Sequence, residues 1–197
     1  YCHNTLSSEK EINIGIPHAP VLGPLLFIIY INDITQHIHL GTANLYADDT
    51  LIYCAADSLC ELKLALQKCI TDVGEWYREN RLIVNANKSS FTIISTRQKL
   101  QTENHVDDFE IYLGDEQIMM KDNFEYLGVT IDKHLGWSEQ VKKMCMKLNQ
   151  KVAILRKLKP ILAKESLCYI YNTLIQPQID YAITVWGYTS DVNLYKL

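Results

Sequence analysis

Residues 43–54 read Ala43-Asn44-Leu45-Tyr46-Ala47-Asp48-Asp49-Thr50-Leu51-Ile52-Tyr53-Cys54. Two short apolar runs flank the acidic pair Asp48-Asp49, the pattern of a β-hairpin with its charges at or beside the turn. Two carboxylates projecting from a rigid base suit a hard divalent ion such as Mg²⁺, which takes oxygen ligands. Phosphoryl transfer uses such ions in pairs, one activating the attacking hydroxyl and one stabilising the leaving oxygen. Asp is also a favoured turn residue, so the pair taken alone describes an ordinary acidic turn better than a metal site.

Upstream, Val21 to Ile34 is apolar nearly all round, which predicts a buried helix whose first turn tolerates Pro24. The apolar run stops at Asn32-Asp33, short of the roughly 20 residues a membrane span needs. Downstream, Asp57 is placed to cap a helix running to about Glu79. Its stripe is Leu59, Leu62, Leu66, Cys69, Val73 and Trp76 at three- and four-residue steps. Short strands are expected at Leu82–Asn85, Phe91–Ser95, Phe109–Leu113 and Tyr126–Ile131, with a turn at Gly114-Asp115. Beyond Trp137 the pattern is helical. Val141, Met144, Leu148, Val152, Leu155 and Leu158 form an apolar stripe, Lys143, Lys147 and Lys151 a basic one, and Pro160 closes the helix. A further helix is expected from Lys164 to about Gln176. The expected fold is therefore α+β to about residue 132, followed by a helical unit over 133–197.

The chain has 197 residues, 48% of them hydrophobic and 21% charged, which excludes general disorder and a linker-dominated chain. The net charge of -4 hides an asymmetry: residues 1–132 hold 9 Lys+Arg against 19 Asp+Glu, and residues 133–197 hold 10 against 4. A basic second part suits a polyanion partner, while a dipolar surface that keeps the protein soluble explains the charge equally well. The 6 cysteines form no C-x-x-C pair and most sit in apolar stretches, so reduced, inert thiols are expected. His37 and His39 lack a paired second half for zinc and read as loop histidines. No basic region leads into an apolar one at the N-terminus, as a signal peptide requires. The chain begins without Met and ends in mid-pattern, and reads as a piece of something longer.

Tyr46-Ala47-Asp48-Asp49 resembles the Tyr-x-Asp-Asp signature of reverse transcriptases, and Leu45 to Thr50 resembles the version in non-LTR retrotransposons of the jockey type. Three further blocks agree in order and spacing. Gly15-Ile16-Pro17-His18-Ala19-Pro20-Val21-Leu22-Gly23-Pro24, continuing to Tyr30-Ile31-Asn32-Asp33, resembles the family's Gly-Val-Pro-Gln-Gly-Ser-x-Leu-Gly-Pro block. Leu82-Ile83-Val84-Asn85-Ala86-Asn87-Lys88-Ser89 resembles its Leu-x-Leu-Asn-x-x-Lys-Thr block, and Tyr126-Leu127-Gly128-Val129 its Tyr-Leu-Gly block, with Leu135-Gly136-Trp137 just beyond.

The resemblance implies a partial right-hand polymerase: the C-terminal part of a palm over 1–132 and a thumb-like region over 133–197. It implies RNA-directed DNA polymerase activity in the parent protein, with two Mg²⁺ ions, an RNA template, a DNA primer and deoxynucleoside triphosphates. Asp48 and Asp49 would be the metal ligands and Lys88 the acid that protonates the departing pyrophosphate, although Lys88 also reads as an exposed loop lysine. Gly15, Pro17, His18, Ala19, Pro20 and Tyr46 would face nucleotide and template. Tyr126, Leu127 and Gly128 would belong to the hairpin that grips the primer, although Tyr126 and Leu127 also read as core residues, and Lys143, Lys147 and Lys151 would contact duplex phosphates. The family's first catalytic aspartate and its fingers lie upstream of these blocks, so that segment of the same polyprotein is an implied partner. No membrane is implied; the localisation stays open, the family context suggesting an intracellular, nuclear setting. His18-Ala19-Pro20 departs from Gln-Gly-Ser: Ala adds a methyl, and Pro removes an N–H and a hydroxyl. A catalytically dead remnant, or a nucleic-acid-binding module using only the basic helix, is the alternative. A two-metal phosphatase or nuclease fits Asp48-Asp49 but leaves the other blocks unexplained.

Overall fold

A computed structural model describes residues 22–102 and 109–196. They divide into two compact units, one ending at Val84 and one beginning at Asn85.

The first unit is a hairpin laid on helices. Helix α1 (Leu22–Ile31) runs into a 3-10 turn (Asn32–His37), and strands β1 (Thr42–Tyr46) and β2 (Asp49–Tyr53) form an antiparallel pair. Helix α2 (Leu59–Glu79) follows. The α2 stripe is as the periodicity requires: Cys69, Val73 and Trp76 are buried with Ile31, Ile34 and Ile38, and the inward hairpin residues Ala43, Leu45 and Ile52 pack on them. Gly41 is needed where β1 begins. A Cβ there would stand 2.8 Å from the Cys54 sulfur and 3.1 Å from that of Cys69.

Three expectations are corrected here. The helix over 22–31 forms but is not buried; only Gly23 and Ile31 are, while Leu22, Leu25, Leu26, Ile28 and Ile29 are exposed. One helix can bury only the face it turns to its neighbours, and an all-round apolar sequence does not enlarge that face. The α2 cap is Ser58, not Asp57: its side chain accepts from the Glu61 N–H at 3.3 Å, and Ser58-x-x-Glu61 has the capping-box spacing. Leu82–Asn85 forms no strand. Its β-favouring residues have no ladder partner; Leu82 N–H closes the end of α2 on Tyr77 O, and Ile83 is 99% exposed.

In the second unit Asn85 caps a 3-10 turn (Ala86–Lys88), accepting from Lys88 N–H at 3.3 Å. Strand β3 (Ser90–Phe91) is the short remnant of the strand expected to reach Ser95. After α3 (Arg97–Thr102), β4 (Ile111–Leu113) and β5 (Glu116–Met120) pair antiparallel across Gly114-Asp115, with φ 61 at Gly114, as expected of that step. The sheet order is β3-β5-β4. The single strand expected over Tyr126–Ile131 is a hairpin instead, β6 (Asn123–Tyr126) and β7 (Val129–Asp132), turning at Leu127 and Gly128. Positive φ at both (48 and 77) defines a type I′ turn, which matches the twist of a two-residue hairpin.

Helices α4 (Ser138–Leu158), α5 (Lys164–Leu174), α6 (Gln176–Asp180), α7 (Ile183–Trp186) and α8 (Asp191–Leu194) complete the unit. Val141, Met144 and Leu148 of α4 are buried with Val129, Trp137, Ile175 and Trp186, so β7 and the helices share one core across residue 132. No helix among the described residues is long and apolar enough to cross a membrane.

The described cysteines are free thiols. Burial, and then the hydrogen bond and charge of Cys69 at 3.7 Å, push the Cys54 thiol up to about 12. Alkylation at pH 8 is therefore expected to label exposed Cys60 and Cys168 first, with Cys54 and Cys69 reacting only after unfolding, as read by peptide mass spectrometry.

Candidate active site

The hairpin end is built by a two-residue turn. Tyr46 pairs with Asp49, leaving Ala47-Asp48 as the connection, and Ala47 takes φ 51, a left-handed conformation usually left to glycine. Residues directly opposed on paired strands share a face. Tyr46 and Asp49 therefore project together away from the core, while Leu45 and Thr50 face inward. Thr50 Oγ1 lies 3.3 Å from the Tyr77 hydroxyl on α2, which ties the inward face of the hairpin to the helix. Tyr46 is 62% exposed, and both carboxylates are exposed beside it.

Asp48 and Asp49 offer only oxygen donors, the chemistry a hard divalent ion accepts. The set is small: among the described residues no group of three or more His, Cys, Asp or Glu is placed to hold a metal ion. The other expected site residues are distributed as follows. Lys88 is exposed at the end of its 3-10 turn in the second unit. Gly15, Pro17, His18, Ala19 and Pro20 lie outside the described residues. Tyr126 and Leu127 are half-buried and Gly128 exposed at the β6–β7 turn. Lys143 Nζ donates to Thr130 Oγ1 at 2.8 Å and Glu125 Oε2 at 3.3 Å, and Lys151 Nζ donates to Leu174 O at 2.8 Å. Lys147, between them on α4, is exposed.

Sequence reasoning missed the loop that precedes α4. Asp132 Oδ1 accepts from the backbone N–H of His134 at 3.0 Å and Gly136 at 3.1 Å, and Oδ2 from that of Trp137 at 2.7 Å. Burial works to raise its pKa, but these three donors and the nearby His134 outweigh burial and hold the carboxyl below the usual aspartate range. The same loop takes two left-handed bulky residues, Leu135 (φ 52) and Trp137 (φ 62). From the C-terminal end, Thr189 Oγ1 donates to Gly136 O at 3.1 Å, and Asn193 Nδ2 to Ser138 Oγ at 3.0 Å. The signal available was an Asp a few residues before Gly136 and an amphipathic helix; the partners at 189 and 193 have no local signature.

The described residues thus form a mixed helix and sheet chain that carries an acidic hairpin end and a basic helix. Residues 1–131 match the family Reverse transcriptase (RNA-dependent DNA polymerase), and the chain belongs to that family. It is similar to the probable RNA-directed DNA polymerase from transposon X-element of Drosophila melanogaster, 26% identical over 99% of this chain and 22% of the relative. It is also 25% identical to the RNA-directed DNA polymerase from mobile element jockey of the same species, over 97% of this chain and 21% of the relative. The probable RNA-directed DNA polymerase from transposon BS is 24% identical over 98% and 22%. The chain thus spans about a fifth of the length of these curated relatives. No solved structure matches it.

Proposed function

We propose that this chain is the part of a retrotransposon RNA-directed DNA polymerase that carries the acidic hairpin of the palm (within 1–132) and a thumb-like helical region (133–197). The observation that supports it most is the pair of exposed carboxylates at the hairpin end, Asp48 in the two-residue turn and Asp49 opening β2, anchored through Thr50 and Tyr77, in a chain of this family. Together with the upstream aspartate of the parent protein, Asp48 and Asp49 would hold two Mg²⁺ ions, which would supply the charge that activates the primer hydroxyl and stabilises the leaving oxygen. Asp48 and Asp49 concentrate negative charge at the hairpin end, with Tyr46 beside Asp49 on the side that faces the primer terminus. Lys88 supplies a proton donor for pyrophosphate, and Leu127-Gly128 a primer grip. By its resemblance to the family's Gly-Val-Pro-Gln-Gly-Ser block, the sequence Gly15 to Pro20 is assigned to nucleotide binding. RNA-templated primer extension, by this chain fused behind the upstream polymerase segment of a jockey relative, tests this function. A binding module without catalysis is the second reading, favoured by the two-carboxylate donor set and by His18-Ala19-Pro20.

The basic helix makes its own prediction. Lys143 and Lys151 are engaged within the unit, whereas Lys147 is exposed, so Lys147 carries the phosphate contact of this stripe. Lys147→Ala is expected to shallow the log–log salt slope of RNA–DNA duplex binding by roughly one unit. Adding Lys143→Ala and Lys151→Ala should change the slope by less than that again. Anisotropy titrations across several salt concentrations measure it; a slope unchanged in the triple variant removes the thumb assignment.

A further inference from the structure

We infer that Tyr181 is a positioning residue for the Leu127–Gly128 turn, and that the segment following α6 sets the geometry of the primer grip; this rests on the grip assigned above. The Tyr181 hydroxyl donates to Leu127 O at 2.6 Å, across 54 residues of chain. Its ring runs alongside the turn: a Cβ built on Gly128 would lie 3.7 Å from Tyr181 Cε1. Tyr181 is 54% exposed, so its side chain is not there to fill the core. Its backbone is fixed from below, since Trp186 Nε1 donates to Tyr181 O at 2.8 Å and Trp186 is 1% exposed. Ala182, between the two aromatic residues, takes a left-handed conformation (φ 53) and begins the short helix that carries Trp186.

A type I′ turn leaves the carbonyl of its first central residue pointing away from the strands, where it can rotate with the peptide plane. Leu127 is a poor left-handed residue, so the Leu127–Gly128 peptide needs an external restraint to stay in this conformation. Tyr181 provides it from a rigid tryptophan-anchored base, a preorganised support for a turn that must meet a primer strand in one orientation.

The test uses the chain itself, with Tyr181→Phe, which removes only the hydroxyl, and Gly128→Ala, which disturbs the turn directly. Anisotropy titrations compare an RNA template carrying a recessed DNA primer with a blunt RNA–DNA duplex of the same sequence. Selective ¹⁵N-glycine labelling follows the Gly128 amide, and thermal melts follow the fold. The expected result for Tyr181→Phe is a shifted Gly128 amide, a Tm unchanged within error, and binding of the recessed primer weakened roughly fivefold with the blunt duplex unaffected. Unchanged binding in Tyr181→Phe, with weakened binding in Gly128→Ala, overturns the role of Tyr181 and leaves the grip standing. Unchanged binding in both variants removes the grip and this inference with it. A lowered Tm with both nucleic acids weakened equally shows a purely structural tyrosine, which also overturns the inference. Should Gly128→Ala fail to fold, Tyr181→Phe alone decides.

Discussion

Asp48→Asn, placed in a fusion of this chain behind the upstream polymerase segment of a jockey relative, is expected to lower kcat for RNA-templated nucleotide addition on the order of a thousandfold or more. Asn keeps the volume and is itself a good turn residue, so the Ala47-Asp48 connection and the Tyr46–Asp49 pair should survive the change. What is lost is one of two exposed charges at the hairpin end, where electrostatic stabilisation is the main contribution a polymerase makes to phosphoryl transfer. Template binding should change little, because a carboxylate attracts no phosphate and the basic helix is untouched. Single-turnover kinetics and equilibrium binding, measured on the same preparation, separate the two effects. Parity of kcat between the fusion and its Asp48→Asn variant would remove Asp48 from the reacting centre.

The second large effect concerns stability. Asp132→Asn should cost about 1–3 kcal/mol at neutral pH, because its amide can accept on one side only and leaves at least one of the three N–H groups facing another donor. The charge matters too: the carboxylate sits at the start of α4, where the helix dipole favours an anion. The folded-state pKa of Asp132 is depressed, so its contribution is complete above the unfolded value of about 4 and is lost as pH falls through the lower folded value. The Tm gap between the native chain and Asp132→Asn should therefore be full at pH 7 and shrink steadily below about pH 4. A gap independent of pH would mean that shape, and not charge, is what the loop requires.

What the sequence disclosed depended on whether the signal was local. The acidic hairpin was legible because alternating apolar runs on either side of Asp48-Asp49 leave one register with Leu45 inward and Asp49 outward. Helices α2 and α4 were legible because Cys69, Val73 and Trp76, and Val141, Met144 and Leu148, recur at helical period. Leu127-Gly128 was hidden from the strand pattern, since a leucine at positive φ gives no turn signature of its own; only the Tyr-Leu-Gly resemblance pointed to a hairpin there. Leu82–Asn85 shows the converse, strand propensity with no ladder to join. The exposure of α1 and the bonds from Tyr181, Thr189 and Asn193 to residues around fifty positions earlier are tertiary facts that no window of sequence contains. Of the site, the acidic pair and the lysine stripe were visible as residue types; that Lys143 and Lys151 are already engaged required the fold.

The most direct measurement is primer extension on an RNA template by the fusion, in two versions, one with His18-Ala19-Pro20 and one with Gln-Gly-Ser in their place. Template-directed DNA synthesis by at least the second version, abolished by Asp48→Asn, is expected if this hairpin is the palm half of a reverse transcriptase site. Silence of both versions in a folded, duplex-binding fusion, or synthesis that survives Asp48→Asn, would show that it is not.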